Sequence, residues 1–431
     1  MLQASATYTV STEIGETTSS SSRTAPFVSY KESQVLRALK SSPLTIEDLA
    51  ARSLTNQPMT RILVKRLVEK GFARVFGDGR YALVATGEKT RAVTVSTERL
   101  GDVNLGIGKA KISLLVGDAE DRLRALADES VDVIVTSPPY YKERNYWSRG
   151  QTGWEPTPDA FVARIVDILA QCSRVLTRHG LMFLDFDDQV VDGKLACIDA
   201  KIAVRLDEAG FEKHREIIWR KINPAPSGTD NALAHSYEKI FVLRPKGGAH
   251  YWDFYASRQD AKTGGMKRLD DVWEIAVASS HPLKGAHNAL FPVELVRRCL
   301  DVATSEGGYC PRCHAPWTRI IERGETTWKK AGASNPRSRL HAIRRGKADF
   351  IDVIDVNGKS VKKKMADMKH VGWEPSCSHG KRPVKAMILD PFVGGGTTGL
   401  VAAERGCGFT GIDINRGNVA FAAEALAEHG G

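Results

Sequence analysis

The chain has 431 residues, 42% of them hydrophobic and 26% charged, with a formal net charge of +10. That composition excludes a fibrous or wholly disordered chain and leaves room for two or three globular domains. No apolar run reaches the roughly 20 residues of a membrane span, and "MLQASATYTV" lacks the basic-then-apolar pattern of a secretory signal, so a cytoplasmic protein without a membrane partner is expected.

Residues 1–28 contain "TTSSSSRT" and few large apolar side chains, which predicts a disordered tail. Over 29–90, three apolar stripes recur at helical spacing. They are Val35, Leu36 and Leu39; then Ile46 and Leu49 behind Pro43 and the N-cap candidate Thr45; then Ile62, Leu63, Leu67 and Val68, stopped by Gly71. "FARVFGDGRYALV" reads as a hairpin around Gly77-Asp78-Gly79. Three short helices and a hairpin predict a winged helix-turn-helix, in which Arg61, Lys65 and Arg66 can meet phosphates or base edges. A packing or dimerisation module is the alternative, and a homodimer stays open.

From residue 110 onward strands alternate with amphipathic helices, the pattern of a doubly wound α/β sheet. Seven strand candidates stand out: "ISLLVGD", "VDVIVTS", "GLMFLDF", "REIIWRK", "KIFVLRP", "KAMILD" and "GFTGIDI". Helical spacing marks "AFVARIVDILAQCSRVL", "KLACIDAKIAVRLDEAG" and "PVELVRRCLDVAT" between them. Residues 309–382 break the alternation, so one domain is expected from 105–308 and 383–431 with an insertion in it. Between Arg312 and Lys385 there are 18 Lys and Arg against 7 Asp and Glu, a local excess of +11 that carries the whole surplus and points to a polyanionic partner.

Seven cysteines in a reducing compartment argue for metal binding or plain burial rather than disulfides. Inside the insertion, "YCPRCHAPW" offers Cys310 and Cys313, and "WEPSCSHG" offers Cys377 and His379. Three thiolates and an imidazole suit a structural Zn2+ that ties the two ends of a basic loop together, with His314 competing for the fourth position. Cys172, Cys197, Cys299 and Cys407 stand in apolar contexts and are expected in the core.

Two motifs carry chemistry. In "MILDPFVGGGTTGLVAAERGCGFTGIDIN" a strand runs into Gly394, Gly395 and Gly396, then a helix, then a strand ending in Asp413, which can accept hydrogen bonds from two ribose hydroxyls. This is a nucleoside-cofactor pattern. A triphosphate loop would need a lysine that is missing, while Gly394, Gly396 and Gly399 do match the spacing of a dinucleotide turn. The second motif is "TSPPYYKERNY", where a buried-strand run, "VDVIV", ends in a rigid Ser-Pro-Pro-Tyr corner.

Together, Ser137-Pro138-Pro139-Tyr140 and Asp390-Pro-Phe392-Val-Gly394-Gly-Gly396-Thr397-Thr398 resemble motifs IV and I of the amino-methylating DNA methyltransferases, in the permuted order of their β group. "VGDAEDRLRALADESVDVIVTSPPY" is similar to the segment leading from motif III into motif IV, and "HNALFPVELVRRCL" looks like motif X. The resemblance covers residues about 110–305 and 383–431. It implies a Rossmann-like seven-stranded S-adenosylmethionine-dependent fold, S-adenosylmethionine as cofactor and double-stranded DNA as partner. It further implies Phe392, Gly394, Gly396, Thr397 and Thr398 along the cofactor, with Asp390 in the same turn and Phe291 from motif X. Asp413 would hold the ribose and Asp118 the adenine, although Asp118 can equally cap the helix after it.

For such a reaction the corner has a physical purpose. An exocyclic amine is a poor nucleophile because its lone pair is delocalised into the ring. The Ser137 side chain and the Pro138 carbonyl would accept its two N–H groups and localise that lone pair, while the prolines hold both acceptors in place. Tyr140 would stack on a base rotated out of the duplex. Serine at the first position resembles the cytosine-N4 enzymes, with adenine N6 the alternative. A non-catalytic DNA-binding regulator on the same fold is the rival from another class.

Overall fold

The computed structural model describes residues 45–46, 48–49, 57–69, 73–75, 80–83, 101–143, 148, 150–224, 233–256, 258–260, 266–277, 292–330, 352–354 and 360–429. They form two compact units: Asp253–Leu269 with Ser305–Val384, and a larger one from Met1–Trp252, Asp270–Thr304 and Lys385–Gly431.

The N-terminal part of the larger unit contains helix α1 (Gln57–Glu69) and an antiparallel hairpin of β1 (Ala73–Val75) and β2 (Tyr81–Leu83). Leu63, Val64 and Leu67 are buried on α1 while Arg61 and Lys65 are exposed, the division an amphipathic helix makes. The Thr45 hydroxyl accepts the Asp48 N–H at 3.2 Å, a local helix start. The predicted tail, 1–28, and the first stripe, Val35 to Leu39, lie outside the described residues.

The next strands are β3 (Val103–Ile107) and β4 (Ala110–Val116), followed by α2 (Ala119–Arg124), β5 (Val131–Thr136), α3 (Pro158–Val175) and β6 (Leu176–Phe186). A two-residue hairpin, β7 (Val190–Val191) with β8 (Lys194–Leu195), leads to α4 (Ile198–Arg205), β9 (Phe211–Lys221) and β10 (Tyr237–Pro245). The smaller unit takes β11 (Arg258–Asp260) and β12 (Met266–Arg268); the larger one then continues with β13 (Val272–Ile275) and α5 (Val293–Ala303). The smaller unit resumes with β14 (Trp317–Lys330), β15 (Asp352–Ile354) and β16 (Ser360–Pro375). The chain returns to the larger unit through β17 (Met387–Asp390), α6 (Thr397–Glu404), β18 (Gly408–Asp413) and α7 (Arg416–His429).

One mixed sheet organises the larger unit, in the order β13-β9-β10-β6-β5-β17-β18-β4-β3. All seven predicted strands are in it, but the sheet has nine: β3 adds antiparallel to β4, and β13 adds parallel to β9. The run from β6 to β4 is parallel, whereas β10 is antiparallel to both its neighbours. Every residue of β5 is buried, which is why "VDVIVT" shows no polar alternation. Helix α3 packs here through Phe161, Ile165, Leu169 and Cys172, and starts at Thr157, whose hydroxyl accepts the Ala160 N–H ahead of Pro158. Cys172, Cys299 and Cys407 are buried, but Cys197 is exposed at the start of α4 with φ of 56°. Its left-handed backbone marks a turn, which an apolar-context reading does not detect.

In the smaller unit β14 pairs antiparallel with β16 from Trp317↔Pro375 to Lys330↔Lys362, and β15 adds to the far side of β16. No helix among the described residues is long and apolar enough to cross a membrane.

Candidate functional site

Strands β5 and β17 are parallel neighbours in the register Ile388↔Val133 and Leu389↔Ile134. Their following turns therefore leave the same carboxyl edge side by side, where ligands bind in sheets of this type. This brings Ser137–Tyr140 next to Pro391–Gly396 although about 250 residues separate them. Buried Asp390 joins the two: Oδ1 accepts from the Thr136 hydroxyl at 2.7 Å and the Phe392 N–H at 3.1 Å, and Oδ2 from the Thr398 hydroxyl at 2.8 Å. Burial pushes the Asp390 carboxyl up to about 6 against those three hydrogen bonds. Thr397 and Thr398 are buried too, and the Thr398 hydroxyl also reaches the Val135 carbonyl. Asp390 and Thr398 thus hold the two turns together, while Ser137, Pro139, Tyr140, Phe392, Gly394 and Asp413 remain partly accessible.

Gly396 has φ of 87° and begins α6, and a Cβ there would lie 3.0 Å from that of Ala422. Backbone conformation and packing both call for glycine. Gly394, at φ of 48°, points its N–H to Asp413 Oδ2 at 3.1 Å. Asp413 also accepts from Asn415 N–H at 2.7 Å and the Asn418 amide at 3.1 Å, and burial raises its pKa to about 6 despite these donors. Three donors leave about one of its four acceptor sites for a ligand, so a diol donating twice would have to displace one of them.

Asp118 takes the capping alternative. Its carboxylate receives Glu120 N–H and Asp121 N–H at 3.0 and 3.3 Å and both oxygens bond to Arg164 at 2.6 Å. Phe291 lies outside the described residues. The helix after it, α5, sits against α6 through Arg297–Glu404 at 3.0 Å and an Asp301–Arg405 pair.

Tyr140 is tilted at 55° on Phe186 with ring centroids 5.3 Å apart, and its hydroxyl donates to Glu238 Oε2 at 3.1 Å. Burial, then the charges of Asp185 and Glu238, raise the phenol pKa well above its ordinary value, which keeps it a donor. A small apolar cavity where Pro138, Pro391 and Phe392 meet α3 and β6 is lined on the core side by Ile165, Leu169 and Leu184. Sequence reading missed the carboxylates Asp185 and Glu238 beside Tyr140. The signal for the first was available in "GLMFLDFDD", an apolar strand closing on acids at the carboxyl edge.

In the smaller unit, the β14–β16 register starts at Trp317↔Pro375, which sets the residues before 317 beside those after 375. Cys310, Cys313, Cys377 and His379 consequently converge, each offering a ligand atom within 4.8 Å of the others. His379 Nδ1 lies 3.6 Å from Cys310 Sγ and 3.2 Å from Cys313 Sγ, spacings that suit a tetrahedral ion. Burial opposes the Cys310 thiolate, but the N–H groups of Arg312 and Cys313 and the adjacent Cys377 and His379 outweigh it, lowering the pKa to about 6. His314 is not in this group.

A family described as DNA methylases of the N6/N4 type matches residues 131–310. The chain is similar to the Type II methyltransferase M.XycI of Xanthomonas campestris pv. cyanopsidis, with 31% identity over 226 residues, covering 46% of this chain and 74% of that one. M.Cfr9I of Citrobacter freundii matches with the same identity and coverage. M.SfiI of Streptomyces fimbriatus matches at 26% over 372 residues, 70% of this chain and 88% of its own length. Among solved structures, PvuII DNA methyltransferase (cytosine-N4-specific) aligns at 15% identity and a TM-score of 0.44, covering 74% of this chain and 91% of that one. The chain belongs to the N6/N4 family of amino-methylating DNA methyltransferases.

Proposed function

We propose that this chain transfers a methyl group from S-adenosylmethionine to the N4 amine of cytosine in duplex DNA, with the base rotated out of the helix. The observation that carries this reading is the pair of turns on one sheet edge, joined through Asp390. Residues fit the cofactor: the Gly394–Gly396 turn gives close backbone approach, the α6 N-terminus offers N–H groups, and Asp413 offers a carboxylate. When bound, S-adenosylmethionine supplies an electrophilic methyl group. Ser137 and the Pro138 carbonyl accept the two amine N–H groups, and Tyr140 covers the base. Holding the amine in line with the methyl group accounts for much of the rate. The Cys310, Cys313, Cys377 and His379 group holds a structural Zn2+, and the basic insertion contacts phosphates.

That the relatives are Type II methyltransferases supports a place in restriction and modification. Adenine N6 is the second reading for the base, since the same two acceptors serve either amine. A non-catalytic regulator has no use for both turns. Incubation with duplex DNA and S-adenosylmethionine, digestion to nucleosides and mass spectrometry test the proposal. N4-methylcytosine is expected; N6-methyladenine would correct the base, and no methylated nucleoside would overturn the reading.

A further inference from the structure

The sheet edge that carries the Ser137–Tyr140 corner also carries an apolar projection. Strand β6 leaves the sheet beside β5, in the register Thr136↔Leu184, and the Tyr140 ring lies against Phe186 with centroids 5.3 Å apart. Shortly beyond Phe186 the chain folds into the β7–β8 hairpin, with Val190 opposite Leu195 and Val191 opposite Lys194. Val191 and Ala196 rest on the core cluster that Tyr140 also packs against, whereas Val190 and Leu195 are 69% and 64% exposed. Two paired apolar side chains therefore face away from the protein, next to the corner.

The hairpin is held in one shape. Asp192 and Gly193 turn it with φ of 49° and 77°, the left-handed pair that a type I′ turn requires. At its base the Asp188 carboxylate accepts the N–H groups of Gln189 at 2.8 Å, Cys197 at 2.9 Å and Ile198 at 2.8 Å, which ties both strands to the start of α4. An apolar tip fixed in this way loses little freedom when it is buried in a partner. Its one acid and one base, Asp192 and Lys194, cancel, so attraction to phosphate is not what it offers. It offers apolar contact to base faces. A base that rotates out of a duplex leaves a gap in the stack, and apolar wedges fill such gaps.

We propose that the β7–β8 hairpin is a wedge, whose Val190 and Leu195 enter the duplex beside the target base and keep the gap open while that base occupies the corner. The proposal rests on the reading of the corner given above. The pair touches no reacting atom and acts by lowering the cost of opening the duplex.

The test uses the full chain and a duplex containing its own target site, located by sequencing plasmid DNA that the wild type has methylated. The target base is replaced by a fluorescent analogue that brightens when unstacked, pyrrolocytosine for cytosine or 2-aminopurine for adenine. At saturating protein the wild type should raise the fluorescence. A variant carrying Val190→Ser and Leu195→Ser should bind the duplex, raise the fluorescence far less, and transfer methyl groups to the unmodified duplex roughly tenfold more slowly, because less apolar area then offsets the unstacking. The wild-type fluorescence rise in the variant overturns the proposal with the functional reading intact. So does a variant that no longer binds, since the hairpin would then be a docking contact rather than a wedge. Should the double variant melt early, Leu195→Asn, close in size, decides: an undiminished rise there overturns it. A wild-type chain that methylates no DNA, or binds the duplex without any rise, sinks the reading of the corner and this proposal together.

Discussion

Asp413 has a structural role in the glycine turn and, on the proposed reading, a ligand-binding one, and the two respond oppositely to pH. Its folded pKa, raised to about 6 by burial, exceeds the unfolded value, so the stability linked to its proton is fully present below about pH 4 and is lost as pH rises through 6. Hydroxyl donors prefer the ionised carboxylate, so cofactor affinity should rise through the same interval. Calorimetric titration with S-adenosylmethionine should show binding about tenfold weaker at pH 5 than at pH 7.5, the ratio of ionised fractions for such a group. Asp413→Asn should bind weakly with a flatter profile. Asp390, also raised to about 6, remains in that variant, and any residual slope belongs to it. An unchanged profile in Asp413→Asn would show that this carboxylate does not meet the ligand.

At the level of elements, the turn into α6 and the base of the β14–β16 ribbon make separate predictions. Gly396→Ala puts a Cβ at a left-handed position 3.0 Å from Ala422 Cβ. Stability should fall by about 1–2 kcal/mol for the backbone conformation alone, read by thermal melting, and cofactor affinity should fall with it. The purified chain should contain about one zinc ion, as a site with four protein ligands implies. Chelation or Cys377→Ser should lower the melting temperature, and metal-free protein with unchanged melting would contradict the assignment. Periodicity revealed the seven central strands because they are apolar and bounded by turns. It did not reveal β3 and β13, which are short edge strands, or that Asp253–Leu269 belongs with the insertion. The convergence of Cys310, Cys313, Cys377 and His379 was legible because the spacing is local at each end.

For the molecule as a whole, the permuted order of its parts costs the fold nothing visible. β17, from the last fifty residues, enters the centre of the sheet between β5 and β18, and the buried Asp132 carboxylate accepts its Met387 N–H at 2.8 Å. The Ser-Pro-Pro-Tyr corner and the glycine turn could each be read as local motifs, but their juncture at Asp390 could not, because Thr136 and Asp390 lie 254 residues apart. The same holds for Glu238, which is 98 residues from the tyrosine it binds and is preceded by no recognisable pattern. The central claim is that the two turns form one methyl-transfer site. Its most direct test is transfer of labelled methyl groups from S-adenosylmethionine to duplex DNA by the wild-type chain and by Ser137→Ala, with cofactor binding measured on both. Transfer by the wild type, roughly a hundredfold loss in the variant and equal cofactor binding are predicted. A variant that transfers at the wild-type rate, or a wild-type chain that binds no cofactor, would contradict the account.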